Sequence, residues 1–207
     1  MNPRVHVKMC GMTRAEDIAY ASGLGVDAIG LIFYPKSPRA ISLDKAVQLT
    51  ENLSPFLSVV AVLVNPDPIF VHDLLAEVPI NVLQFHGDET PEFCEQFNRP
   101  YIKSLQTEST GQMQQAAQTY GKATAILFDT PSASTRGGTG QRFDWQVIPK
   151  NLAKPYILAG GINEGNIDEA LLSCSPYAID ICSGIESAPG VKDHTKMSRF
   201  IKAIWGK

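Results

Sequence analysis

Apolar residues in this chain cluster in short, nearly unbroken runs. Leu57-Ser58-Val59-Val60-Ala61-Val62-Leu63-Val64 has a single polar position, and Ala125-Ile126-Leu127-Phe128 has none. A strand with one wet face alternates apolar and polar residues, whereas a strand buried on both faces in a parallel sheet does not. The pattern predicts strands over 6–10, 28–34, 57–64, 82–86, 101–105, 125–129, 156–160 and 178–182. Helical start signals stand between them. Thr13 with Glu16 three residues on predicts a capping box. Ser42 reads as the cap of a second helix, Pro68 begins a third, and Thr90-Pro91 opens a fourth with cap and first-turn proline. Phe143 to Pro149 leaves room for only a short sixth helix. Over roughly 194–205, Met197, Phe200, Ile201, Ile204 and Trp205 fall on one helical face.

Eight strand–helix units, spaced roughly 20 to 30 residues apart, predict a single-domain (β/α)8 TIM barrel over residues 1–207, small for its kind. The rival is an open doubly wound sheet. No glycine-rich GxGxxG turn follows the first strand, and eight equal units favour closure. In a barrel, chemistry sits on the loops at the C-terminal ends of the strands.

Composition removes several classes of function. Hydrophobic residues are 44% and charged residues 19%, ordinary for a chain that buries a full core. A net charge of -3 offers no footprint for nucleic acid. No apolar run is long enough for a membrane span, and the N-terminal run is too short for a signal peptide, so a cytoplasmic protein is expected. Cys10, Cys94, Cys174 and Cys182 show neither CxxC spacing nor a histidine at ligand spacing. No metal or cofactor is expected. Cys94 reads as a helix core position and Cys174 as a helix end.

Against this background two strand ends carry chemistry. Cys10 ends the first strand and Asp129 the sixth, a thiol and a carboxylate facing one cleft as candidate base and acid. Glycine turns follow strands seven and eight, at Gly160-Gly161 and Ser183-Gly184, where barrels often hold phosphate on backbone N–H groups. Thr130 to Gln141, rich in small residues, reads as a lid over the cleft. Arg39 follows two loop prolines and suits a planar carboxylate. His86 ends the fourth strand, as a structural histidine or a ligand contact. Asp180 lies among isoleucines in strand eight and needs a partner. Lys8 shares a strand face with Cys10 and is a candidate for favouring its thiolate.

The ordered runs Lys8 to Thr13, Asp27 to Arg39, Gln84 to Glu89, Gly137 to Gly140 with Phe143-Asp144-Trp145, Leu158 to Ile162, and Asp180 through Pro189 to Asp193 span almost the whole chain. Together they resemble the phosphoribosylanthranilate isomerase family of tryptophan biosynthesis. The resemblance implies an Amadori rearrangement of a small phosphoribosyl substrate, catalysed by a monomer or homodimer without cofactor. It makes Cys10 the general base at ribose C2 and Asp129 the general acid at the ring oxygen. Arg39 would hold the anthranilate carboxylate, Gly160, Gly161, Ser183 and Gly184 the phosphate, and His86 and Asp180 would line the pocket. Cys182 departs from the serine common in the family, a change expected to leave the backbone donors intact.

Three other readings compete. A histidine-pathway isomerase would carry an aspartate at the end of strand one. A sugar-phosphate sensor would not need the thiol, the carboxylate and the lid together. A cysteine nucleophile would need a histidine beside it, and His86 qualifies only if strands one and four meet across the mouth.

Overall fold

The computed structural model describes residues 4–106, 109–129, 145–149 and 151–206. Eight strands close into a barrel in chain order: β1 (His6–Met9), β2 (Ala28–Ile32), β3 (Ser58–Leu63), β4 (Val82–Phe85), β5 (Tyr101–Leu105), β6 (Ala125–Asp129), β7 (Tyr156–Ala159) and β8 (Ala178–Ile181). Every neighbouring pair is parallel, and β8 closes the ring on β1. The eight expected strands are all present, β5 and β6 with the expected bounds and the other six shortened by one or two residues. Cys10, His86 and Cys182 therefore sit one residue past a strand end, where side chains can turn into the mouth.

The helices α1 (Ala15–Gly23), α2 (Leu43–Thr50), α3 (Pro68–Glu77), α4 (Pro91–Glu95), α5 (Thr110–Thr119), α6 (Ile167–Ser173) and α7 (His194–Trp205) surround the barrel. A single 3₁₀ turn, Trp145–Val147, lies between β6 and β7 among the described residues. Ser42 caps α2 through Lys45 N, and Thr90 caps α4 through Phe93 N. The capping box at Thr13 does not form. Helix α1 starts at Ala15 with Arg14 before it and no side-chain cap. The Thr13 hydroxyl instead donates to the carbonyl of Gly190, 177 residues away. A tertiary acceptor has outcompeted the local one.

Strand side chains alternate between two cores, as a closed sheet requires. On β6, Ile126 and Phe128 point outward into the layer shared with the helices, beside Leu74, Met113 and Phe200. Ala125 and Leu127 point inward, where they pack with Ile102, Ile157 and Ala178 and fill the lower barrel. Asp129 continues the inward series at the top. Above the apolar plug lie the buried polar side chains Lys8, Gln84, Ser104 and Asp180.

One element had no sequence signal. β9 (Glu186–Ala188) and β10 (Val191–Lys192) form a small antiparallel hairpin after β8. Strands of three and two residues are too short to show a period, yet this hairpin carries two charges of the site.

Candidate active site

The thiol is placed by the seam between β1 and β8. Cys10 N donates to Ile181 O at 2.8 Å, and the register sets Lys8 against Asp180. Lys8 Nζ donates to both Asp180 oxygens at 2.9 Å, with both side chains almost fully buried. Asp180 thus has the partner that a buried charge demands. Burial opposes the Lys8 charge, but Asp180 and then Cys10 outweigh it and hold the amine in its charged form. On β2, Gly30 leaves the necessary space. A Cβ there would stand 2.6 Å from Cys10 Sγ and 3.1 Å from Lys8 Nζ.

Cys182 answers how the thiol ionises. The Cys182 thiol is the largest of the influences that bring Cys10 down to about 7, and its sulfur also lies 3.9 Å from Glu186 Oε1. Burial pushes the other way, Lys8 adds a positive charge nearby, and Asp180 partly offsets it. The Cys182 thiol is pushed far up by the same contact, then by burial, so it is the sulfur that keeps its proton. The departure from serine thus supplies a protonated thiol that can donate to the base. Burial drives Cys94 up to about 12 and Cys174 up to about 11, so neither is reactive.

A base is competent where it is deprotonated, so activity should rise with pH through about 7 and fall away below it. Cys182→Ala removes the donor and should move this limb to higher pH, with roughly ten-fold less activity at pH 7. Cys182→Ser should restore most of the loss, because a hydroxyl also donates. A pH profile of kcat/KM that is the same for wild type and Cys182→Ala would exclude the donor role.

The acid side is built from β4 and β6. Asp129 Oδ2 lies 3.2 Å from His86 Nε2, and both side chains are 28% exposed. The histidine partners the carboxylate and not Cys10, which removes its case as helper of a cysteine nucleophile. Lys103 and Glu89, a buried pair at 2.9 Å, hold the turn after His86. Lys103 donates to Gly87 O, while Glu89 accepts from Gly87 N at 2.9 Å and from Asn65 N at 2.7 Å. The lysine inside the apolar run Tyr101 to Leu105 was the available signal for this support.

Arg39 faces the same cavity but is already engaged. Its Nε and Nη2 donate to Glu186 at 2.8 Å and 2.6 Å, and Lys192 Nζ reaches Glu186 at 2.9 Å. Burial opposes the Glu186 charge, but Arg39 and Lys192 hold its carboxyl below the usual range. Glu186 keeps Arg39 charged as well. Two cations against one carboxylate leave this rim net positive, and Nη1 is the guanidinium nitrogen that Glu186 leaves unused.

Cys10, Arg39, His86, Asp129, Gly160, Gly161, Asp180 and Ser183 all line one cavity of about 450 Å³ at the barrel mouth. Gly160 and Gly161 have φ of +82° and +64°, which favours glycine. Gly184 lies behind the cavity wall, where an added Cβ would strike the carbonyl of Ile162. Its contribution is to let the two turns pack. The lid reading, on 130–141, falls outside the described residues.

A closed parallel barrel whose mouth holds an activated thiol, a carboxylate and a cationic rim belongs to the acid–base enzymes built on this fold. The family model described as N-(5'phosphoribosyl)anthranilate (PRA) isomerase matches residues 7–203. The chain belongs to that family. It is 62% identical over 207 residues to the N-(5'-phosphoribosyl)anthranilate isomerase of Legionella pneumophila strain Lens, covering all of both chains. The crystal structure of the Thermotoga maritima phosphoribosyl anthranilate isomerase superposes with a TM-score of 0.89 at 36% identity, covering 98% of this chain and 100% of the other. A second isomerase structure, in complex with reduced 1-(o-carboxyphenylamino)-1-deoxyribulose 5-phosphate, matches with a TM-score of 0.84 at 33% identity, covering 98% of this chain and 100% of the other.

Proposed function

We propose that Cys10 and Asp129 are the proton-transfer pair of a phosphoribosylanthranilate isomerase acting in tryptophan biosynthesis. The reaction is the Amadori rearrangement of N-(5-phosphoribosyl)anthranilate to 1-(2-carboxyphenylamino)-1-deoxyribulose 5-phosphate. Asp129 gives its proton to the furanose oxygen, the C1–O bond breaks, and the anthranilate nitrogen takes up the positive charge as an iminium. The Cys10 thiolate then removes the C2 proton. The electron pair moves into the C1–C2 bond, and the resulting enolamine tautomerises to the ketone. No redox partner is needed, since C1 is reduced as C2 is oxidised.

The observation that carries this reading is the activated Cys10 in one cavity with Asp129. The remaining assignments follow from charge. Arg39, through its unused Nη1, orients the anthranilate carboxylate. Gly160, Gly161 and Ser183 hold the phosphate, and Gly184 keeps their two turns together. Asp180 acts by fixing Lys8 beside the base. Four unpaired cysteines fit a reducing cytoplasm.

The test is fluorimetric. The anthranilate-like emission of the substrate should disappear on turnover by the purified chain, and persistent emission would overturn the assignment. A charge-assisted hydrogen bond contributes about 1.5–3 kcal/mol, roughly 10- to 100-fold in binding. Arg39→Lys keeps the charge but loses the planar fork, so KM should rise in about that range while kcat falls less. An unchanged KM would remove Arg39 from substrate binding.

A further inference from the structure

A chain of polar groups runs from the barrel interior to the acid. Ser104 on β5 lies 3.1 Å from Gln84 Nε2, Gln84 Nε2 lies 3.4 Å from His86 Nδ1, and His86 Nε2 lies 3.2 Å from Asp129 Oδ2. Gln84 is 1% exposed, and its Oε1 finds no hydrogen-bond partner among the described residues. We propose that Gln84 is a positioning residue whose amide sets the tautomer of His86 and, through it, decides whether Asp129 holds the proton it delivers. This rests on the reading of Asp129 as the acid.

A neutral imidazole has one N–H and one lone pair, so whatever meets Nδ1 fixes what Nε2 presents. With the Gln84 NH₂ toward His86, Nδ1 accepts and Nε2 carries the hydrogen. His86 then donates to an ionised Asp129. With the amide turned by 180°, Oε1 accepts from both Ser104 and His86 Nδ1. Nε2 then offers a lone pair, and Asp129 donates to it as a neutral acid. The amide ends have the same shape, and each orientation leaves one end unmet. Neither is locked, as a two-state element requires.

The cycle uses both states. Asp129 needs its proton before ring opening. After delivery the new carboxylate is met by the other tautomer: solvent reaching the 28% exposed ring takes up the Nδ1 proton and returns one to Nε2, and His86 Nε2–H donates to the carboxylate. The other ionisable side chains that line the cavity among the described residues are Cys10, Arg39, Asp180 and Cys182, on or next to β1, β2 and β8. None is hydrogen-bonded to His86 or Asp129.

The test reads the histidine directly. In the ¹⁵N-labelled full chain, His86 should show ring signals for both tautomers in exchange. Gln84→Leu should leave Nε2–H alone and lower kcat roughly ten-fold, with KM within about two-fold. If Gln84→Leu fails to fold, Ser104→Ala removes the anchor that both amide orientations share and should change the ratio of the two tautomers. A wild-type His86 already confined to one tautomer, or ring signals unchanged in the folded variants, overturns the proposal. So does a raised KM with unaltered tautomers, which would make Gln84 a substrate contact instead. The ring signals need no turnover, so a failure of the acid assignment, visible as an active Asp129→Asn, is separable from a failure of this one.

Discussion

Cys10→Ser is expected to lower kcat/KM by ~10²–10⁴-fold, the usual range for losing one general base. Serine is the more telling substitution than alanine. It is slightly smaller than cysteine, so it fits the notch beside Gly30, and it keeps a group that Cys182 and Lys8 can hydrogen-bond. What it cannot supply is an anion near neutral pH, because the donors that bring a thiol to about 7 cannot bring an alcohol there. The defect should fall on the chemical step, with KM little changed, and the rise in activity through about pH 7 should vanish. Stopped-flow emission decay across that rise, from mildly acidic to mildly basic buffer, measures both. Turnover within a few fold of wild type would remove Cys10 from proton abstraction.

Asp129→Asn should be as damaging, again ~10²–10⁴-fold. Asparagine has the same shape and still meets His86 at its present 3.2 Å distance, so the mouth should keep its form. It has no proton to give to the ring oxygen, and ring opening is the step that stops. Because ring opening precedes removal of the C2 proton, a substrate deuterated at C2 separates the two lesions. Cys10→Ser should show a large isotope effect on kcat and Asp129→Asn almost none. A large effect in both would mean that Asp129 acts at another step.

Both residues are legible in the sequence because each lies at the end of a short strand, wholly apolar up to Asp129 in β6 and interrupted by Lys8 in β1. Periodicity places such strands, and barrel architecture says which end is active. Their partners are not legible in the same way. Cys182 reads as a neutral exchange for serine, since its role depends on β8 lying against β1. Glu186 and Lys192 belong to a hairpin of two very short strands, below the length at which patterns register. His86 carries two open readings because its neighbour Asp129 comes from another strand. The capping box at Thr13 fails for the same reason in reverse, since a distant carbonyl takes the hydroxyl. Local signals locate strands and strand ends, and barrel closure determines which side chains meet.

That closure has a temporal side. The Lys8–Asp180 pair spans 172 positions, and Cys182 follows just after, so during synthesis β1 waits for β8 before its sulfur has company. Until the ring shuts, Cys10 is an ordinary thiol and reacts slowly with alkylating reagents at neutral pH. Once it shuts, the same sulfur is substantially anionic. Cys10 is thus a built-in clock for folding, with a labelling rate that records when β1 and β8 have met.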